Sequence, residues 1–491
     1  MIINAIKTRL DYDRLTQYIE VFFLMAITLI LRLYNLTSVS LWYDEVFTGL
    51  VTQLDPGGIM QATMGDVHPP LYYIVTWMTT RLFGDVNELS LRLPSVLASV
   101  ASVYVLWMLL QHYNVDRSKS YVIMGIFALL PSSLHYGQEA RMYALLQLAY
   151  LGLVLAGVKR NWILVGMLAP VLPYLQNYGW FYLATTGLFL LWNEYRQQRF
   201  TRFPIGLLAF LTVPVLYAPW LMYGLSVQMA KVADGYWILP VTPGSVAQAL
   251  LGMIWGVSLP QWAVMSVYIT TLTIMAVAVV ITAKSEFRWL VWLGFAPMAM
   301  AILASALFKP IFIMRALVPL TPFIVWLVVQ SFWGSTRRNI FVYGSAAAVL
   351  FLACCNYYGL IGNSKSDGGL ADRVTYYLQS DQPVYYVGDG PMTIMSFYHP
   401  ELQNIELTVC GMTPGGLTPT TRSAFGWTIQ EPDRPGLLLW AAGPLSPSCE
   451  TDQVVDLLNR THAKLIAELK SDELVKVTVW QLEPNQSKSL P

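Results

Sequence analysis

Ser38-Val39-Ser40-Leu41-Trp42-Tyr43-Asp44-Glu45 follows directly on the first long apolar run of the chain, residues 17–35. A helix needs about 20 apolar residues to cross a bilayer, so that run is a span. Two adjacent carboxylates therefore emerge where a span meets water. Ionisable groups at such depths cost free energy and persist chiefly where chemistry needs them. Working outward, Asp66-Val67-His68-Pro69-Pro70-Leu71 and then Arg92-Leu93-Pro94-Ser95 come next, again at the edges of apolar segments.

The rest of the chain is mostly apolar. Of 491 residues, 55% are hydrophobic and 12% charged, against about 25% charged in a soluble domain. Mean hydropathy is +0.50. A single soluble core is excluded. The net charge of +1 gives no electrostatic argument for nucleic acid. The 17 Trp and 28 Tyr suit aromatic belts at membrane interfaces. No Cys/His spacing reads as a zinc site. Cys354 and Cys355 lie inside an apolar run, whereas Cys410 and Cys449 sit in the polar tail, where a disulfide is open to them if that tail is extracytoplasmic. Lys7, Arg9 and Arg14 precede the first span without a small-residue cleavage site, which reads as a retained anchor.

Further apolar runs occupy 93–111, 120–135, 143–158, 161–176, 179–193, 204–222, 262–282, 287–307, 316–333 and 339–358. The expectation is a polytopic α-helical membrane protein of about 11–13 transmembrane helices. With a cytoplasmic N-terminus, the inner connections carry Arg117, Lys119, Lys159, Arg160, Arg196, Arg199, Arg202, Lys284, Arg288, Arg337 and Arg338. The outer ones hold only Arg81, Arg92, Arg141, Lys231, Lys309 and Arg315. This is the positive-inside bias. It survives along the chain only if Pro69 to Phe83 does not cross, so that segment is expected to lie in the outer interface. The parity puts Asp44, Glu45, Asp66, His68, Arg92, Glu139, Arg141, Lys309 and Arg315 on the outer side. Residues 1–360 then form the membrane domain, with a first outer loop at 36–92. Residues 361–491, in which strand-like and helix-like segments alternate, form a small extracytoplasmic α/β domain. The setting is a plasma (inner) membrane.

Taken singly, each polar motif has an ordinary reading beside a chemical one. Asp44 is either a general base for a hydroxyl or the N-cap of a short helix. His68 either faces an anion at a helix start or is a solvated histidine. Arg92 either grips a phosphate or snorkels to lipid headgroups. Tyr136-Gly137-Gln138-Glu139-Ala140-Arg141 is too short a link to hide its charges in water. Glu139 and Arg141 then point into a shared cavity or pair with each other. Asn177-Tyr178-Gly179 is a site residue in a turn, or only a turn. Lys309 and Arg315 suit a lipid phosphate, or ordinary contact with anionic lipid. The outer connection from Tyr223 to Gln261, with Lys231, Asp234, Tyr236 and Trp237, reads as a flap.

In this order and on one face, the motifs resemble the GT-C membrane glycosyltransferases. The resemblance is to the protein O-mannosyltransferase family (glycosyltransferase family 39) and the related aminoarabinose transferases of lipid A. It rests on Leu41-Trp42-Tyr43-Asp44-Glu45, Asp66-Val67-His68-Pro69-Pro70-Leu71, Arg92-Leu93-Pro94-Ser95, Gln138-Glu139-Ala140-Arg141-Met142-Tyr143 and Arg315-Ala316-Leu317-Val318-Pro319, and covers about residues 15 to 330. It implies inverting transfer from a polyprenyl-phosphate sugar donor to a hydroxyl of a lipid, glycan or protein acceptor. Asp44 would be the base, and Glu45 would support it or help orient a metal or sugar. Arg92, Lys309 and Arg315 would hold the donor phosphate. Tyr43, Asp66, His68, Glu139, Arg141 and Tyr178 would form the site wall. The acids are compatible with a divalent cation without requiring one. The chain departs from the eukaryotic mannosyltransferases in carrying Tyr72-Tyr73 after His-Pro-Pro-Leu, where they have Gly-Lys, and in lacking a trefoil insertion. Both departures count against a protein acceptor. The rival from another class is a transporter or lipid flippase. It fits less well, because the charges gather at one surface and the two halves show no repeat.

Overall fold

The computed structural model describes residues 2–197, 203–233, 238–255, 261–337, 339–340, 342–344, 346–347, 350–351, 353–355, 368–378, 382–387, 389–407, 417–427, 429–430, 432–442, 451–470 and 476–483. Cys410, Cys449, Asp234, Tyr236 and Trp237 lie outside them, as does part of the apolar run at 339–358. The chain divides into two compact units. The first comprises Met1–Leu36, Arg92–Tyr217 and Pro240–Gly359; the second comprises Thr37–Leu91, Ala218–Leu239 and Leu360–Pro491.

The first unit is helical. Its elements begin with α1 (Ile2–Leu33), and the second unit then supplies α2 (Tyr43–Gln53), α3 (Pro56–Met64) and α4 (Leu71–Phe83). The helix α5 (Glu88–His112) returns the chain to the first unit, followed by α6 (Arg117–Leu129), α7 (Pro131–Gly137), α8 (Tyr143–Val158), α9 (Trp162–Leu168), α10 (Val171–Leu175) and α11 (Gly179–Arg196). Among the described residues six helical stretches are long and apolar enough to cross a membrane: Leu15–Leu33, Glu88–His112, Leu208–Met229, Met265–Ala283, Glu286–Leu307 and Met314–Phe332. Tyr143–Val158 and Trp162–Leu175 are shorter apolar helices. Proline explains two interruptions. The run at 120–135 breaks before Pro131, which opens α7 as its first residue, and the run at 161–176 breaks at Pro170. Pro94 sits inside α5 and cannot bond the carbonyl of Ser90, but the Thr79 hydroxyl donates to that oxygen at 3.0 Å.

In the second unit, α4 has 13 residues, or about 20 Å of helix. That is too short for a hydrocarbon core of about 30 Å. Asp55 caps α3 by accepting from the Gly58 N–H at 2.7 Å, and Gly84 ends α4 in the left-handed region at φ 76°.

The C-terminal part of this unit is a six-stranded sheet. In chain order the strands are β1 (Val384–Val387), β2 (Asn404–Leu407), β3 (Ile429–Gln430), β4 (Gly436–Ala442), β5 (Lys464–Lys470) and β6 (Lys476–Leu482), arranged β3-β2-β1-β4-β6-β5. The first four pair in parallel and the last two antiparallel. Side chains alternate between faces with period two. Val384, Tyr386, Leu437 and Leu439 pack against Ala371, Val374, Met392 and Met395 of the helices Gly368–Thr375 and Asp389–Tyr398. Tyr385, Val387 and Leu438 pack against Val454 and Leu457 of the helix Thr451–Arg460. Helices on both faces explain the continuous apolar reading of β1 and β4. The short strand β2 and the segment β5, with Lys464, Glu468 and Lys470 in it, carried no such signal.

The helices α2, α3 and α4 pack against this domain within the same unit. Phe47, Val51, Ile59, Ala62 and Tyr73 form one buried cluster with Leu417, flanked by Phe425 and Trp427. A Cβ at Gly65 would lie 2.2 Å from Thr418 Oγ1, 2.3 Å from Thr421 Oγ1 and 3.0 Å from the Thr421 backbone nitrogen. Those hydroxyls donate to Gly65 O and Ala62 O, both at 3.0 Å. Gly65→Val is therefore expected to destabilise the detergent-solubilised protein by about 1–3 kcal/mol, read as a lower Tm; an unchanged Tm would contradict this packing.

Candidate active site

The acid pair opens α2. Leu41 is fully buried, and Trp42 is in extended geometry as the N-cap. Asp44 is the second helical residue rather than the cap. Glu45 is 1% exposed and accepts from the Trp42 N–H at 3.4 Å, the carboxylate half of a capping box. The two neighbouring acids therefore differ: Glu45 is buried and closes the start of the helix, while Asp44 and Tyr43 are half-buried. Both carboxylates also sit in a first turn, where the helix dipole favours negative charge.

Asp66 and His68 are brought together, with Asp66 Oδ2 2.9 Å from His68 Nδ1 and both side chains nearly buried. This is not the solvated histidine of the ordinary reading. A carboxylate on one ring nitrogen fixes the ring's orientation and tautomer. Pro69 and Pro70 then lead into α4, and Phe47 of α2 meets Tyr73 of α4 edge-on at 5.9 Å. The acids and His68 all belong to the second unit.

The cations belong to the first unit. Arg92, 4% exposed, donates through Nη1 to the carbonyl of Leu36. It is not an interfacial side chain snorkelling to headgroups. Glu139 and Arg141 are 1% and 2% exposed. The short link that carries them is held by its neighbours: Ser95 Oγ donates to Arg141 O at 3.1 Å, and Gln138 Nε2 donates to Arg32 O and Tyr34 O at 3.0 and 2.8 Å. Glu139 lies 3.9 Å from His135 Nε2. Tyr136 reaches Met314, the residue before Arg315, at 3.5 Å. The Arg92 turn, the Glu139–Arg141 link and the Arg315 segment are thus contiguous within this unit. Arg315 is half-buried and Lys309 exposed.

Residues 309–320 form no α-helix; Met314–Leu320 is 3-10 helix. Side chains from neighbouring helices satisfy part of its polar backbone. Tyr178 is more than a turn residue: its hydroxyl donates to Ile311 O at 2.7 Å and accepts from Ile313 N–H at 3.1 Å. Ser305 Oγ accepts from the N–H groups of Ile311 and Phe312. Gln147 Nε2 donates to Val318 O at 3.0 Å, and Tyr182 donates to Ala316 O. Sequence reading singled out Tyr178 but passed over Gln147, Tyr182 and Ser305, and it also missed Arg32. Arg32 is fully buried inside the first span and donates to Ser99 Oγ at 3.1 Å and Ala128 O at 2.7 Å. The signal was available, since a polar residue within an apolar run needs a partner. Among the described residues no three His, Cys, Asp or Glu side chains gather as a metal-binding group.

Tyr178→Phe removes both bonds to the Ile311–Ile313 backbone and leaves buried groups unsatisfied, at a cost of about 1–3 kcal/mol. The expected outcome is a lower Tm with faster amide exchange confined to 309–315. Unchanged exchange there would show that the hydroxyl does not hold the segment.

Residues 67–223 match the family model described as dolichyl-phosphate-mannose-protein mannosyltransferase. No curated protein matches the chain in sequence. In structure the chain is similar to ArnT from Cupriavidus metallidurans in the apo state, with TM-score 0.60 at 12% identity over 94% of this chain and 97% of that one. It is similar also to the same ArnT bound to undecaprenyl phosphate, with TM-score 0.61 at 13% identity over 94% and 97%. At these identities the likeness is one of fold. The expected polytopic architecture with a small C-terminal sheet domain is the one found. The family model covers about a third of the chain, and the fold is the one seen in ArnT from Cupriavidus metallidurans.

Proposed function

We propose that the chain transfers a sugar from a polyprenyl-phosphate donor to a hydroxyl acceptor at the outer face of the membrane. The observation that carries the reading is the pairing of two things. The fold is shared with a protein described as bound to undecaprenyl phosphate. This chain carries residues that suit such a reaction: an acid pair at a helix start, and Arg92 and Arg315 on linked segments of the helical unit.

In the proposed reaction, Asp44 takes the proton of the acceptor hydroxyl as its oxygen attacks the anomeric carbon. The bond from that carbon to the phosphate oxygen breaks, and the polyprenyl phosphate leaves with the electron pair. In-line displacement inverts the anomeric centre. The leaving phosphate gathers charge as the bond breaks, so Arg92, Lys309 and Arg315 act most strongly in the transition state. Arg92 and Arg315 are rigidly based through Leu36 and the Tyr178–Ser305 bonds, and preorganised cations need not reorganise during the reaction. Glu45 closes the helix that presents Asp44. Asp66 orients His68 in the site wall. The N-terminus is cytoplasmic and the sheet domain extracytoplasmic in this reading.

Asp44→Asn is expected to lower transfer by about 10²–10⁴-fold, while affinity for undecaprenyl phosphate stays unchanged. Arg315→Ala is expected to weaken that affinity by about tenfold or more, the worth of a charged hydrogen bond. Transfer can be read by mass spectrometry of membrane lipids and affinity by titration of the purified protein. Full transfer by Asp44→Asn, in protein expressed at the normal level, would overturn the assignment of the base.

A further inference from the structure

The C-terminal domain leaves a mark on the acid-bearing loop that the proposed reaction does not use. Tyr398 is the last residue of the helix Asp389–Tyr398. Its hydroxyl accepts from the Leu41 N–H at 2.8 Å and donates to Glu88 Oε1 at 3.2 Å. Leu41 stands three residues before Asp44, and Glu88 is the first residue of α5, four before Arg92. One phenol from the sheet domain thus joins the two ends of the first outer loop. Its neighbour Phe397 fills the space over Gly49, where a Cβ would meet the ring at 2.4 Å, so this helix also lies flush on the middle of α2. Phe425 then packs against Phe47 edge-on at 5.9 Å.

The Leu41 N–H belongs to extended backbone just before the helix, and no helical bond serves it. A buried N–H must find an acceptor, and the acceptor it finds is on another part of the chain, 357 residues away. The bond therefore does more than satisfy a donor. It ties the direction in which the chain enters α2 to a helix of the sheet domain, and the position of Asp44 at the second residue of α2 depends on that entry.

We propose that Tyr398 is a positioning residue for the reaction, and that the C-terminal domain braces the acid-bearing loop through it. The inference rests on the reading of Asp44 as the base. Tyr398 does not touch donor or acceptor. It sets the phase of α2 and the start of α5 by holding Leu41 and Glu88 on one oxygen. A small displacement of a reacting group is enough to depress turnover without affecting binding elsewhere.

The test uses the full-length protein in detergent and two readouts. Tyr398→Phe keeps the ring and its packing and removes only the hydroxyl. Amide exchange in a peptide spanning Leu41 is expected to rise by about tenfold, the loss of one hydrogen bond, with no general rise in the sheet domain. Sugar transfer is expected to fall by a similar factor while affinity for undecaprenyl phosphate is unchanged. Glu88→Ala, which takes away the other partner, should show the same pattern in weaker form. Wild-type exchange at Leu41 in Tyr398→Phe overturns the brace. Raised exchange with wild-type transfer overturns the positioning role. If the wild-type protein itself transfers no sugar, the proposed function fails instead, and the exchange readout still decides whether the brace exists.

Discussion

The hydrogen bond from Arg92 to the carbonyl of Leu36 joins residues 56 positions apart and closes the loop between them at its base. It also satisfies two constraints at once. A guanidinium that is 4% exposed needs partners for its donors, and a carbonyl beyond the end of a membrane helix needs a donor. The loop between them carries the acid pair, the Asp66–His68 pair and the short helix α4. The loop holds no disulfide among its residues, and its order comes from hydrogen bonds and from the apolar cluster around Phe47, Ile59 and Tyr73.

The same principle organises the cation segment. Residues 309–320 lack a regular helix, and their backbone would be unsatisfied within an apolar bundle. Tyr178, Ser305, Gln147 and Tyr182 each give a polar group to it. The four polar side chains hold the irregular segment that carries Lys309 and Arg315. Non-helical backbone in a membrane protein is tolerated where protein surrounds it, and such places are commonly functional.

Much of this was legible in the sequence. The acid pair, His-Pro-Pro, Arg92, the Glu139 link and the Arg315 segment were visible because charge is rare in an apolar chain. The sheet domain was visible because β1 and β4 are buried on both faces and read as continuous apolar runs. Helix breaks at Pro131 and Pro170 were less visible, since hydropathy alone does not register a missing N–H. The partners of the polar groups were not legible at all. Nothing local in Tyr398 announces that its hydroxyl serves Leu41, and nothing in Gln147 announces Val318. Such pairings are fixed by tertiary packing. The contrast between Asp44 and Glu45 belongs with them, because two adjacent acids look alike in sequence and differ only once α2 has a buried side.

The central claim, that a sugar leaves a polyprenyl phosphate through this chain, is tested most directly by the lipid pool itself. Membranes from otherwise identical cells with and without the protein would be extracted and their polyprenyl-phosphate sugars quantified by mass spectrometry. The account predicts that one such donor accumulates when the protein is absent and that one glycosylated product disappears with it. Identical donor and product pools in the two membranes would contradict it.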